Sequence, residues 1–276
     1  MSDTPIPLVP AEGWHVMHLY YSIDHSQWSL LSESEKREAK TELSQLVQEI
    51  RSHPKTQLLI CAVATPKADL GFMLLTPDLQ DATHFEKRLT LALGPDVLTP
   101  TYSYLSQTER SEYTTTSEQY ARDTLIGEKG LTEGSPEYEE ALGEFEERMK
   151  HYLQHRLYPV LPDWPAICFY PMSKRRSAHE DYNWYSLDHD ARAKLMKGHA
   201  TTGRKYAGKI LQLITGSTGL DEHEWGVTLL AKDTIEIKNI VYEMRFDEVS
   251  ARFAEFGDFY IGMQLPLNEL FKRICL

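Results

Sequence analysis

From residue 14 to 23 apolar and polar positions alternate, the period of a half-buried strand. Residues 33–52 then follow a helical period. Ser32 and Glu35 are spaced as a capping box, and Leu43, Leu46, Val47 and Ile50 form one apolar face. Two short apolar runs, 58–64 and 71–75, flank a Pro66–Asp69 turn and predict paired strands. A helix over 78–93 stops at Gly94-Pro95, and a further strand begins at 101–105. The predicted order is βαββαβ.

The second half repeats that order without repeating the sequence. Strands are predicted at 166–172, 209–215, 225–231 and 259–263, with helices at 188–199 and 234–254. The pattern βαββαβ is ferredoxin-like. Two copies predict an α+β protein, a pseudo-symmetric dimeric barrel in one subunit. The expected domains are an N-terminal ferredoxin-like domain, 1–112, a linker, 113–158, and a C-terminal ferredoxin-like domain, 159–276. Within and around the linker, residues 107–135 are polar and predict a surface loop or flap. An acidic amphipathic helix follows Pro136, with Leu142, Phe145, Met149 and Leu153 on one side.

Composition narrows the function classes. Apolar residues are 41% of the chain and charged residues 25%, a globular balance. No run approaches the roughly 20 apolar residues of a membrane helix, and no signal-peptide pattern is visible at the N-terminus. The net charge of -12 argues against a nucleic-acid binder. Cys61, Cys168 and Cys275 are odd in number and far apart, which predicts free thiols in a reducing compartment, the cytoplasm.

Against that negative field, Lys174, Arg175 and Arg176 stand at the end of an apolar strand. Three cations at a strand tip suit a ligand's anionic groups, and a solvated strand end explains them equally well. Most of the 11 histidines lie in polar context, and no HExxH pattern is present. His199 instead follows Leu195 and Met196 near a helix end. It suits an axial haem ligand, since haem iron needs one protein ligand, or an ordinary helix-end histidine. Gln212 is the amide of an apolar strand and faces either a ligand or a buried partner.

Five segments together resemble the chlorite-dismutase-like family on its coproheme decarboxylase branch: CFYPMSKRR (168–176), NWYSL (183–187), LMKGHATTGRKYAGKI (195–210), ITGSTGLDEHEWGVTL (214–229) and VYEMRFDEVSARFAEFG (241–257). The resemblance implies porphyrin bound in the C-terminal half, and commonly a homopentamer. It assigns His199 to the iron and Tyr170 to catalysis. Arg156, Lys174 and Ser250 become contacts to porphyrin propionates, with Pro171, Met172 and Ser173 along the same stretch and Gln212 distal to the iron. Chlorite dismutases carry a distal arginine instead, so Gln212 favours the decarboxylase branch. The implied reaction converts two propionates of Fe-coproporphyrin III (coproheme) to vinyl groups, giving haem b, with hydrogen peroxide as oxidant and a radical on Tyr170. A ferrochelatase acting on coproporphyrin is the implied upstream partner. The rivals are a chlorite dismutase or haem peroxidase, and a non-catalytic haem-binding or trafficking protein. Tyr138 is a candidate linker contact. On one unbroken helix it lies roughly 27 Å from Arg156, too far for both to grip one porphyrin edge.

Overall fold

The computed structural model describes residues 6–276. The chain divides into two compact units, one formed by residues up to Thr108 together with Leu161–Leu276, the other by Glu109–Val160.

In the first unit, β1 (His15–Ile23) leads through a short α1 (His25–Leu30) to α2 (Glu33–Ser52), β2 (Gln57–Val63), β3 (Leu70–Thr76), α3 (Leu79–Leu91) and β4 (Leu98–Thr108). The Ser32 capping box forms, and α2 buries the four residues of its predicted apolar face. The second unit holds α4 (Ser117–Gln119), a π-helix (Tyr120–Glu128) and α5 (Pro136–Leu157). The first unit then resumes with β5 (Ala166–Lys174), α6 (His189–Arg204), β6 (Ile210–Gly216), β7 (Trp225–Ala231), α7 (Thr234–Met244), α8 (Glu248–Phe253), β8 (Ala254–Phe256), β9 (Tyr260–Gln264) and α9 (Leu267–Arg273).

Each half has ferredoxin-like pairing, β4-β1-β3-β2 in the first and β9-β5-β7-β6 in the second. The halves join through β4–β6 and β2–β9, so eight strands close into a barrel, and β8 adds to the end of β5 as a ninth strand of the described residues. The two halves therefore share one unit. The two compact units meet between Thr108 and Glu109 and between Val160 and Leu161. Inside the closed sheet, Val16, Cys61, Met73, Leu75, Ile167, Leu213 and Leu230 pack together, as do Tyr20, Tyr104, Phe169 and Tyr260. Outside it, α2, α3 and α9 cover the first half, and α7 covers the second.

Four expectations are corrected. The helix predicted to end at His199 runs on to Arg204, past Gly203, where a Cβ would lie 3.3 Å from the Gln212 amide nitrogen. The helix predicted over 234–254 is two, since Asp247 caps a new start at α8. The C-terminal α9, which buries Leu270 and Phe271, is absent from the predicted pattern. The polar stretch in the second unit is not a loop: α4, capped by Thr116, runs straight into the π-helix. Leu125 is buried there, and Tyr120 stacks on Phe145 of α5 at 4.0 Å. Cys61 and Cys168 are buried thiols, both pushed up to about 12 by burial, and Cys275 is exposed. Among the described residues no helix is long and apolar enough to cross a membrane.

Candidate functional site

Alternation along β5 builds the site. Ala166, Cys168 and Tyr170 face the helices and pack with Ile237 and Ile240 of α7, whereas Ile167 and Phe169 enter the barrel. Met172 continues the helix-facing row, and the same parity carries Lys174 onto it. Pro171 and Ser173 fall on the opposite row. Ser173 Oγ meets His223 Nδ1 at 3.2 Å, and the Pro171 ring lies so close to Gly257 that a Cβ there would stand 2.6 Å from it.

Tyr170 is 5% exposed and stacks on Phe259 with ring centroids 4.3 Å apart. Its hydroxyl makes no hydrogen bond among the described residues. Burial, reinforced by Cys168 and opposed by Arg245, pushes the phenol up, so it stays protonated.

The strand tip does not present three free cations. Arg175 pairs with Glu255 at 3.4 Å and Arg176 with Glu224 at 2.8 Å. Lys174 is 8% exposed, and among the described residues no carboxylate lies within ion-pair distance of its Nζ, which sits 4.7 Å over the Trp184 ring. Burial lowers its ammonium to about 8, against the pull of Asp247 and Glu224. Both carboxylates are already engaged. Glu224 accepts the Lys174 main-chain N–H at 2.7 Å, the Arg176 guanidinium and the Tyr185 hydroxyl.

His199 lies within α6, and its Nδ1 is 2.9 Å from Asp247 Oδ2. A carboxylate partner fixes the proton on Nδ1, which leaves the Nε2 lone pair to point elsewhere. Nε2 makes no hydrogen bond among the described residues. Asp247 also accepts the Ser250 main-chain N–H at 2.9 Å as the α8 cap, and the Ser250 hydroxyl at 3.4 Å. Burial pushes its carboxyl up, but the hydrogen bonds from His199 and Ser250 outweigh burial and hold it below the usual carboxylate range. Gln212 gives its amide N–H to the Gly203 carbonyl at 3.1 Å, on the same helix as His199.

The packing around these groups is loose on one side. Gly203 is the one fully buried residue of α6, whereas α7 buries Ile237 and Ile240. Met172, Tyr206, Ile214, Met244, Phe256 and Phe259 are half-buried at the rim of the second-half core. Among the described residues, no group of three or more His, Cys, Asp or Glu is placed to hold a metal ion.

The structure thus gathers His199, Ser250, Lys174, Met172, Tyr170 and Gln212 on the helix side of the second-half sheet. Arg156 belongs to the other unit, where its Nε donates to the Glu109 carbonyl at 2.8 Å. α5 is unbroken from Pro136 to Leu157, so Tyr138 and Arg156 sit at its opposite ends. Asp247 and Glu224, the carboxylates that meet His199 and Lys174, are not marked in the sequence. Asp247 lies 48 positions from His199 and Glu224 50 from Lys174, so no local spacing marks them.

The sequence matches the family described as Chlorite dismutase over residues 36–265. The chain belongs to the chlorite dismutase family. Among solved structures it is similar to a novel haem-binding protein from Thermus thermophilus, at 37% identity over 99% of this chain and 100% of that one, with a TM-score of 0.77. It shares the fold of a chlorite dismutase variant from Candidatus Nitrospira defluvii, at 20% identity, 97% of each chain and a TM-score of 0.69. A putative chlorite dismutase has the same fold at 14% identity, 95% and 99% coverage and a TM-score of 0.68. The chlorite dismutase fold, with its two ferredoxin-like units, is the one described above.

Proposed function

We propose that this protein binds an iron porphyrin and oxidatively decarboxylates it, with coproheme as substrate and haem b as product. The observation that carries this reading is one strand face on which a buried phenol without a partner, Tyr170, precedes a buried ammonium without a counter-ion, Lys174. The two are four residues apart, about 13 Å along a strand. Both side chains can therefore reach a ligand seated over Met172 between them. Membership of the chlorite dismutase family and the haem-binding description of the Thermus thermophilus relative point the same way.

The residues fit the group. His199 offers Nε2 to iron, backed by Asp247 as carboxylates commonly back metal-bound histidines. The loosely packed inner side of α6 and the half-buried apolar rim suit a flat apolar ring. Lys174 and Ser250 would hold porphyrin carboxylates.

When bound, the iron porphyrin would supply the two oxidising equivalents of one peroxide, the first taking an electron from Tyr170 as its phenol gives up its proton and the second taking an electron from the propionate radical that Tyr170 leaves. Tyr170 removes the hydrogen atom from the propionate β-carbon as a neutral radical, a role a protonated phenol without a competing hydrogen bond can fill. Each carboxyethyl group then loses CO2 and becomes vinyl, and one peroxide is reduced to two waters. Lys174 and Ser250 fix the carboxylate; a displacement of about 1 Å costs on the order of a hundredfold in rate. The oxidant is hydrogen peroxide, and assembly as a homo-oligomer, a pentamer, belongs to the same proposal.

Mass spectrometry of the coproheme complex during stepwise peroxide addition tests the reaction, with two successive conversions of propionate to vinyl expected. The family name favours one rival, chlorite dismutation. Sustained oxygen release from chlorite by the haem complex, with no decarboxylation, would select that rival; the neutral Gln212 argues against it.

A further inference from the structure

Asp247 carries two donors on one oxygen. Its Oδ2 accepts from His199 Nδ1 at 2.9 Å and from the Ser250 hydroxyl at 3.4 Å, and Oδ1 takes the Ser250 main-chain N–H at 2.9 Å. A serine hydroxyl has one proton to donate. Ser250 is buried, and its hydroxyl bond to Asp247 is long for O–H···O. A ligand carboxylate at a normal distance of about 2.5–2.7 Å would win that proton. Lys174, a cation with no carboxylate within ion-pair distance among the described residues, feels the Asp247 charge and shares the helix side of the sheet with this serine, where it would draw a ligand carboxylate.

We propose that Ser250 is a positioning residue that reports the carboxylation state of the bound porphyrin to His199 through Asp247. The proposal rests on the porphyrin reading of His199 and Ser250. While the hydroxyl is given to a ligand carboxylate, Asp247 Oδ2 serves His199 alone. The Nδ1–H bond strengthens, and the imidazole donates more strongly through Nε2. Once that carboxylate has become vinyl, the hydroxyl returns to Oδ2, shares its lone pairs, and weakens the histidine as a ligand. The site therefore grips the iron of its substrate more firmly than that of its product, which biases the finished porphyrin toward release.

Resonance Raman spectroscopy of the ferrous complexes reads the iron–histidine stretch directly. The band that disappears in His199→Ala is expected at higher wavenumber with coproheme than with haem b. Ser250→Ala keeps the α8 cap, which uses main-chain N–H, and is expected to raise the haem b band to the coproheme value and abolish the difference. Ser250→Thr, which restores a hydroxyl, is expected to restore it. A haem b band at or above the coproheme band in the wild type overturns the coupling, as does a difference that persists in Ser250→Ala. Complexes with no band sensitive to His199→Ala overturn the porphyrin reading itself, and the coupling with it.

Discussion

The hydroxyls of Tyr21, Tyr104 and Tyr206 engage Thr90, the His223 carbonyl and Glu243, at 2.8, 3.0 and 2.9 Å. Tyr170 keeps its hydroxyl uncommitted in an aromatic wall. Tyr170→Phe is therefore expected to bind coproheme normally and to form no haem b with peroxide; haem b at the wild-type rate would remove the tyrosine from the chemistry. His199→Ala is expected to lose the histidine-ligated iron absorption spectrum, and an unchanged spectrum would exclude His199 as the ligand. Lys174 adds a pH dependence. Its ammonium titrates near 8 in the free protein, so coproheme affinity should fall as pH rises through that value. Lys174→Met should flatten that dependence and weaken binding by about 2 kcal/mol, roughly thirtyfold in Kd. A pH profile shared by wild type and variant would assign the effect to another group.

At the scale of elements, α6 is packed less deeply than α7. It carries His199 yet buries one residue fully, while α7 buries two isoleucines against the sheet. Hydrogen exchange should therefore run faster in α6 than in α7 in the free protein, and coproheme should slow exchange selectively in α6. Equal protection of both helices before and after binding would contradict this packing. Much at this scale was legible in the sequence. The capping box at Ser32 and the α2 face of Leu43, Leu46, Val47 and Ile50 are local patterns, and both form as the spacing predicts. The break between α7 and α8 was legible only in part, because Asp247 looks like one more acid on a helix until its cap is seen. The strand tip is hard to read for a similar reason. Lys174, Arg175 and Arg176 look alike in sequence, but alternation and two distant glutamates, Glu255 and Glu224, single out Lys174.

At the scale of the whole molecule, closing eight strands into a barrel buries polar groups from both halves. His18 of β1 stacks on Phe169 of β5 at 3.9 Å, and its Nε2 meets Thr228 of β7 at 2.8 Å. No local pattern announces that contact, since it spans 210 positions. Burial lowers the His18 imidazole from 6.5 to about 3. Between those values the unfolded chain binds a proton that the folded one does not, so this contribution to stability is whole above pH 6.5 and is lost as pH falls. From about pH 7 to about pH 5 the loss is about 2 kcal/mol. Urea unfolding of wild type and His18→Gln should show it as a steeper acid loss in the wild type; parallel losses would contradict it.

On the proposed function, this site removes two carboxylates from one porphyrin. Ferric coproheme bound to the protein, titrated with hydrogen peroxide and followed by mass spectrometry, tests it most directly. A monovinyl intermediate and then haem b are expected, with two peroxides consumed per haem. Coproheme that stays intact, or is bleached without losing CO2, would contradict it.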